Sequence, residues 1–224
     1  GCIINDIIDI NLDKNVERTS YRPLVVKNVS ILEAIFFLVF LLLCALLILI
    51  QFNSKVIVLG FLSIPLIILY PFMKRITYWP QLILGIVFSW GVLIVSMQLN
   101  DSLTLSSLIL YVGCIFWTLG YDTIYAYQDK GDDIMNNIKS TAVLFNKNGK
   151  KFVLLFYMIF LIILGYLAYQ NSGSITSILV IISFLIAMMF FLNKWNMESK
   201  KSSNYYFKSN NFFGLLCFIY LIIF

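Results

Sequence analysis

Two stretches of this sequence carry carboxylates at helical spacing. In NDIIDINLD, Asn5, Asp9 and Asp13 are four residues apart and Asp6 precedes Asp9 by three, so a helix places all four on one face. In DTIYAYQDKGDD, Asp122, Tyr125, Asp129 and Asp133 stand at i, i+3, i+7 and i+11, which predicts a second one-sided stripe. Like charges at this spacing repel, and carboxylates against apolar membrane segments are costly, so neither stripe stabilises a helix by itself. A cation is missing. Oxygen-only ligands suit a hard ion such as Mg²⁺, which keeps some waters and shares its shell with substrate phosphates. Arg18, Arg22, Lys130 and Lys139 lie near the stripes and supply cations for diphosphate oxygens. One acidic loop alone reads as a solvated helix end, and one basic residue alone as a topology determinant. Two patterned stripes with basic residues close by point to a metal-diphosphate site.

A third segment, YPFMKRITYWPQLILG at Tyr70 to Gly85, sets Lys74 and Arg75 between two apolar runs among Tyr70, Phe72, Tyr78 and Trp79. Such residues commonly anchor a helix at the headgroup level. The functional reading is that Arg75 holds the carboxylate of an aromatic acid through paired hydrogen bonds, with Lys74 adding charge. Histidine is absent, which removes imidazole bases, Ser-His-Asp and Cys-His arrangements and most zinc or haem sites. Cys2, Cys44, Cys114 and Cys217 are widely separated and form no CxxC pair.

The elements that must carry these side chains are membrane helices. Of 224 residues 61% are hydrophobic and only 12% charged, against roughly 25% charged in soluble domains, which excludes an ordinary soluble fold. Seven apolar segments recur, at about Ile31 to Phe52, Val56 to Phe72, Leu82 to Met97, Leu103 to Tyr121, Phe152 to Tyr169, Ile175 to Leu192 and Phe212 to Phe224. The last has only about 13 apolar residues and reads as a short or clipped helix. The predicted fold class is therefore all-α, a polytopic transmembrane helical bundle. Long polar connections are expected at residues 1 to 30, 122 to 151 and 193 to 211, a shorter basic one at Met73 to Pro80, and short ones around Asn53 to Lys55, Gln98 to Ser102 and Gln170 to Ser174. If the helices alternate, every Lys and Arg except Lys55 falls on one side, which the positive-inside rule makes cytoplasmic. The net charge of +5 follows from topology, so nucleic-acid binding is not indicated.

On these motifs the chain resembles the UbiA family of intramembrane aromatic prenyltransferases. The first stripe matches the family's NDxxDxxxD, followed by ERTSYRPL; the second matches DxxYAxxDxxxD, followed by IKSTAVLF at Ile138 to Phe145. The Tyr70 to Gly85 segment resembles the loop of the branch that prenylates 4-hydroxybenzoate for ubiquinone biosynthesis. The resemblance implies Mg²⁺ as cofactor, held by Asn5, Asp6, Asp9, Asp13, Asp122, Asp129 and Asp133 together with the diphosphate of a polyprenyl donor. It implies catalytic roles for Asp9, Asp13, Asp122, Tyr125, Asp129, Asp133 and Arg75, and substrate contacts for Arg18, Arg22, Lys74, Arg75, Lys130 and Lys139. Tyr125 shields an allylic cation, and the ring proton goes to a carboxylate such as Asp122 or to the leaving diphosphate. The implied setting is the bilayer of a bacterial or mitochondrial inner membrane, with the site on the cytoplasmic or matrix side.

The resemblance also implies nine transmembrane helices, so the chain is expected to be one prenyltransferase domain, residues 1–224, lacking one to two N-terminal helices. Two other readings stand beside this one. A UbiA-family enzyme with another acceptor would use the same donor chemistry. A transporter would use the carboxylates as a cation path, although transport sites usually lie near the bilayer midplane and these acids lie at helix mouths.

Overall fold

Ser30, Asn53, Thr104, Ser174 and Ser199 each accept a backbone N–H from two or three residues ahead, and each opens a long helix. At Ser30 the cap is reciprocal, because the Glu33 carboxylate accepts the Ser30 N–H at 2.7 Å. The computed structural model describes residues 1–224 and contains no strand. The helices are α1 (Cys2–Asp13), α2 (Ile31–Leu49), α3 (Ser54–Ile76), α4 (Pro80–Phe88), α5 (Trp90–Asn100), α6 (Leu105–Ala126), α7 (Lys130–Met135), α8 (Thr141–Phe145), α9 (Gly149–Ser172), α10 (Ile175–Asn193) and α11 (Lys200–Ile223). Seven helical segments are long and apolar enough to cross a bilayer: α2, α3, α4 with α5, α6, α8 with α9, α10 and α11. The protein is an all-helical membrane protein.

Helix α6 is the centre of the bundle, packing on α9, α4, α5 and α11. Its approach to α9 depends on small residues. A Cβ at Gly120 would stand 3.1–3.3 Å from the ring of Tyr157, which is 1% exposed. Glycine therefore lets the two backbones close up where lipid offers no hydrophobic drive to do so. Near the same end of α6, the fully buried Trp195 stacks edge-on against Tyr127 at 5.2 Å and donates its indole N–H to Ser203 at 3.1 Å. These contacts fix the last turn of α6 and the start of α11. By contrast α2 buries only Ala34 and turns its other side chains outward.

At the opposite end, Lys55 donates to the carboxylate of Asp101 at 2.6 Å, and Asn53 donates to the Met97 carbonyl at 3.4 Å. The short connections thus meet one another, as simple alternation of helices requires.

Three expectations about local structure are corrected. The segment Asp122 to Asp133 is not one helix face: α6 stops at Ala126, a turn follows, and Asp133 belongs to α7. The Gly131 in this segment has little helix propensity, and Tyr127, Gln128 and Asp129 close tight turns back to residues 123, 125 and 126. The final helix is longer than its apolar run, since it begins at Lys200 rather than Phe212 and runs for 24 residues. Its first half is polar, so hydropathy hides it, but the Ser199 cap starts it and Ser203 and Tyr206 bury its inner face. Lys200, Lys201 and Lys208 consequently sit on a helix and not in a loop. Finally, the third span is broken at Ser89 into α4 and α5.

Candidate active site

A cavity of about 780 Å³ opens where α1, α3, α4 and the α6–α7 turn converge. Each wall is one helical face. From α1 come Asn5, Asp6, Asp9 and Asp13; from α3 come Ile67, Tyr70, Pro71 and Lys74; from α4 come Gln81, Leu84 and Phe88. Asp122 and Tyr125 face it from the end of α6, Asp129 stands at the N-cap position of α7 and Asp133 lies within α7. The two acidic segments, more than a hundred residues apart, therefore line one hollow, although a turn interrupts the second. Six carboxylates and four basic side chains, Arg18, Arg22, Lys74 and Lys139, share this wall.

Most of the acids are already paired. Arg18 donates Nε to both oxygens of Asp129, at 2.9 and 3.1 Å, and Nη2 to Oδ2 at 2.5 Å, while its guanidinium lies 4.7 Å above the ring of Tyr125. Burial by itself would lower the Arg18 pKa, but the hydrogen bonds and charge of Asp129 outweigh it, so the guanidinium is held above its ordinary range. Arg22 Nη1 bridges Asp6 at 2.7 Å and Asp13 at 2.8 Å. Lys74 pairs with Asp9, which is fully buried, and Arg75 stands 3.6 Å from the same carboxylate. Asp122 makes no ion pair or hydrogen bond within the protein. Burial pushes the Asp133 carboxyl up to about 7, offset in part by the Ser140 hydroxyl that donates to it at 3.0 Å, and helped by the nearby charge of Asp129.

The donor set suits a divalent ion: oxygens only, from two sides, with Asp9 Oδ1 enclosed and lacking any hydrogen-bond partner. No three acidic side chains converge closely enough to ligate one ion in this arrangement. Instead the protein's own cations pair with four of the six carboxylates, Asp6, Asp9, Asp13 and Asp129. A metal would enter by displacing Arg22 or Lys74 from their partners, not by filling a finished cage.

Of the residues singled out in the sequence, Asn5, Asp6, Asp9, Asp13, Arg18, Arg22, Lys74, Asp122, Tyr125, Asp129, Asp133 and Lys139 meet at the cavity. Two do not. Arg75 points its guanidinium at the Ile8 carbonyl, 3.2 Å away, with its side chain 48% exposed. Lys130 donates to Asn146 at 2.7 Å and lies against Tyr127. Three polar cavity residues escaped sequence reasoning: Gln81, Thr19 and Ser140. Gln81 lies in the segment already noted and Ser140 in IKSTA, but neither neutral side chain carries a charge pattern to mark it. Phe88 is shared with an adjoining chamber of about 680 Å³, lined by Trp117, Tyr121, Phe207 and Asn210 between α5, α6 and α11.

A profile of the UbiA prenyltransferase family matches residues 1–216. The chain belongs to this family. Among UbiA relatives, the mitochondrial 4-hydroxybenzoate polyprenyltransferase of Drosophila melanogaster is 38% identical over 227 residues, covering 100% of this chain and 57% of that protein. A 4-hydroxybenzoate octaprenyltransferase of Francisella tularensis subsp. mediasiatica is 37% identical over 226 residues, covering 100% of this chain and 78% of that one. The chain thus spans little more than half the length of the fruit-fly relative. Its fold is similar to the apo structure of a UbiA homolog from Aeropyrum pernix K1, with a TM-score of 0.76 at 22% identity, covering 100% of this chain and 83% of that one.

Proposed function

We infer that this protein transfers a polyprenyl group from a polyprenyl diphosphate to the ring carbon ortho to the hydroxyl of 4-hydroxybenzoate, releasing diphosphate, as a step of ubiquinone biosynthesis. The observation that carries this reading is the convergence of two acidic segments and four basic side chains on one cavity at the mouth of an apolar helical bundle. The names of the relatives support the acceptor and the donor. The crowding of basic residues on one side supports a cytoplasmic or matrix-facing site in a bacterial or mitochondrial inner membrane.

Asn5, Asp6, Asp9 and Asp13 from one wall and Asp122, Asp129 and Asp133 from the other would hold Mg²⁺, which when bound neutralises the diphosphate and makes it a better leaving group. Arg18, Arg22 and Lys74, which line the same cavity, would donate to diphosphate oxygens. The carbon–oxygen bond of the donor breaks with its electron pair going to diphosphate. Tyr125 presents its ring face to the allylic cation, while Ile67, Leu84 and Phe88 exclude water. The isoprenoid tail runs past Phe88 into the adjoining aromatic chamber and out to lipid. The ring carbon attacks the cation to form the new carbon–carbon bond, and the displaced ring proton goes to a carboxylate such as Asp122 or to the departed diphosphate.

Membranes carrying the protein, given polyprenyl diphosphate and 4-hydroxybenzoate, should form prenylated 4-hydroxybenzoate and diphosphate in equal amounts. The reaction should stop on chelation of divalent ions and fall by at least about a hundredfold in Asp9→Ala or Asp129→Ala. Turnover without divalent ions, or full activity of either variant, would remove the basis of the proposal. Cation flux across the membrane without product formation would favour a transporter.

A further inference from the structure

Gln81 stands in the first turn of α4 and is 6% exposed. Its side-chain oxygen accepts the backbone N–H of Thr141 at 3.1 Å. That bond settles which end of the amide is which, because a backbone donor must be met by the oxygen, and so the NH₂ group is turned away from Thr141. Gln81 lines the main cavity. Its NH₂ has no hydrogen-bond partner in the protein and is not among the enclosed atoms that lack one, so it opens on the cavity.

The support behind this donor is rigid. The Lys139 N–H donates to the Lys74 carbonyl at 2.8 Å, and the Lys139 ammonium donates to the Ile76 carbonyl at 2.9 Å. The Thr141 hydroxyl pairs with that of Thr123 at 2.8 Å, and both residues are fully buried. Segment 138–145 is thereby clamped to segment 70–85 and to α6. A neutral donor held this firmly, between segments that bring Lys74 and Lys139 to the same cavity, suits a small anion whose position must be defined.

We propose that the Gln81 NH₂ group donates to the carboxylate of the aromatic acid acceptor and sets the preference for an acid over a neutral phenol. The inference rests on the prenyl-transfer reading above and adds a binding residue to it. The Gln81 oxygen is turned to Thr141, which leaves the NH₂ as the end presented to substrate.

Gln81→Glu tests this with little change of shape. The glutamate keeps an oxygen for the Thr141 N–H but shows the cavity an anion in place of NH₂. Assayed at about pH 8.5, above the range to which burial raises most carboxyls, the variant should raise the KM for 4-hydroxybenzoate roughly 10- to 100-fold, with the KM for polyprenyl diphosphate unchanged. With 4-hydroxybenzamide, whose amide can donate to the new carboxylate, KM should change less than about threefold. Equal losses with both acceptors, a raised donor KM, or an unchanged 4-hydroxybenzoate KM would each overturn the assignment. If Gln81→Glu fails to accumulate in membranes, Gln81→Met carries the same comparison, with a roughly tenfold rise expected for the acid alone. A wild-type protein inactive with 4-hydroxybenzoate refutes the parent reading; a wild-type protein active with it and indifferent to both substitutions refutes this inference alone.

Discussion

The pair Arg18–Asp129 ties the connection after α1 to the turn after α6, and its strength can be worked from its geometry. Three N–H···O contacts of 2.5–3.1 Å join a side chain 30% exposed to one 13% exposed. Exposed ion pairs contribute about 0.2–1 kcal/mol, whereas hydrogen bonds to charged groups contribute about 1.5–3 kcal/mol. Allowing for the partial exposure of Arg18, the coupling should be about 2 kcal/mol. Removing Arg18 alone also strands a mostly buried carboxylate, so Arg18→Met should cost about 3 kcal/mol, or a fall in Tm of roughly 6–12 °C for a chain of this size. The assay is thermal unfolding of purified protein in detergent with a divalent-ion chelator, followed by tryptophan fluorescence, for Arg18→Met, Asp129→Asn and the double variant. A coupling below about 0.5 kcal/mol would refute the reasoning. So would an unaltered Arg18→Lys, since an ammonium cannot reproduce the fork that reaches both oxygens.

Other outcomes follow from the same contacts. With its carboxyl raised to about 7, Asp133 holds a proton in the folded metal-free protein that the unfolded chain releases near pH 4. The folded state therefore binds more protons between those values, and stability of the metal-free protein should decline as pH rises through that window. Ligation by Asp133 would need its ionised form, so Mg²⁺ affinity measured by calorimetry should rise with pH below about 7, a slope that Asp133→Asn should reduce. Lys200 reaches Glu17 at 2.9 Å and Asp132 at 3.4 Å across exposed surface, so Lys200→Ala should cost under about 1 kcal/mol and nothing measurable at high salt, as denaturation at two ionic strengths would report. Gly120→Ala pushes a methyl group against the buried Tyr157 ring and should cost about 1–3 kcal/mol, read as a lowered Tm.

The acidic motifs could be read from the sequence because their period survives without context. Asn5, Asp6, Asp9 and Asp13 fall on one face of α1 as spacing alone requires. Asp122 to Asp133 converge on the cavity for a different reason, since the chain leaves α6 and re-enters a helix with the acids still directed inward; spacing named the residues and misjudged their backbone. The start of α11 was hidden because KKSSNYYFKSNN is polar, and only packing of Ser203 and Tyr206 and the Ser199 cap reveal it as helix. Arg75 and Lys74 are adjacent and chemically alike, so sequence had no means of telling that Lys74 would face the hollow and Arg75 the Ile8 carbonyl. Gln81 was invisible for the opposite reason, as its value comes from which atom Thr141 occupies.

Helix α2 buries only Ala34 within this chain and presents the rest of its apolar surface outward. Its 19 residues rise roughly 28 Å, close to the thickness of the hydrocarbon layer of about 30 Å. A helix of that length matches such a layer with little mismatch. Residues 14–30 join this helix to α1; among them Arg22 grips Asp6 and Asp13 of α1, while Arg18 grips Asp129 beyond α6. One strap of chain thus links a membrane span to both acidic segments of the hollow.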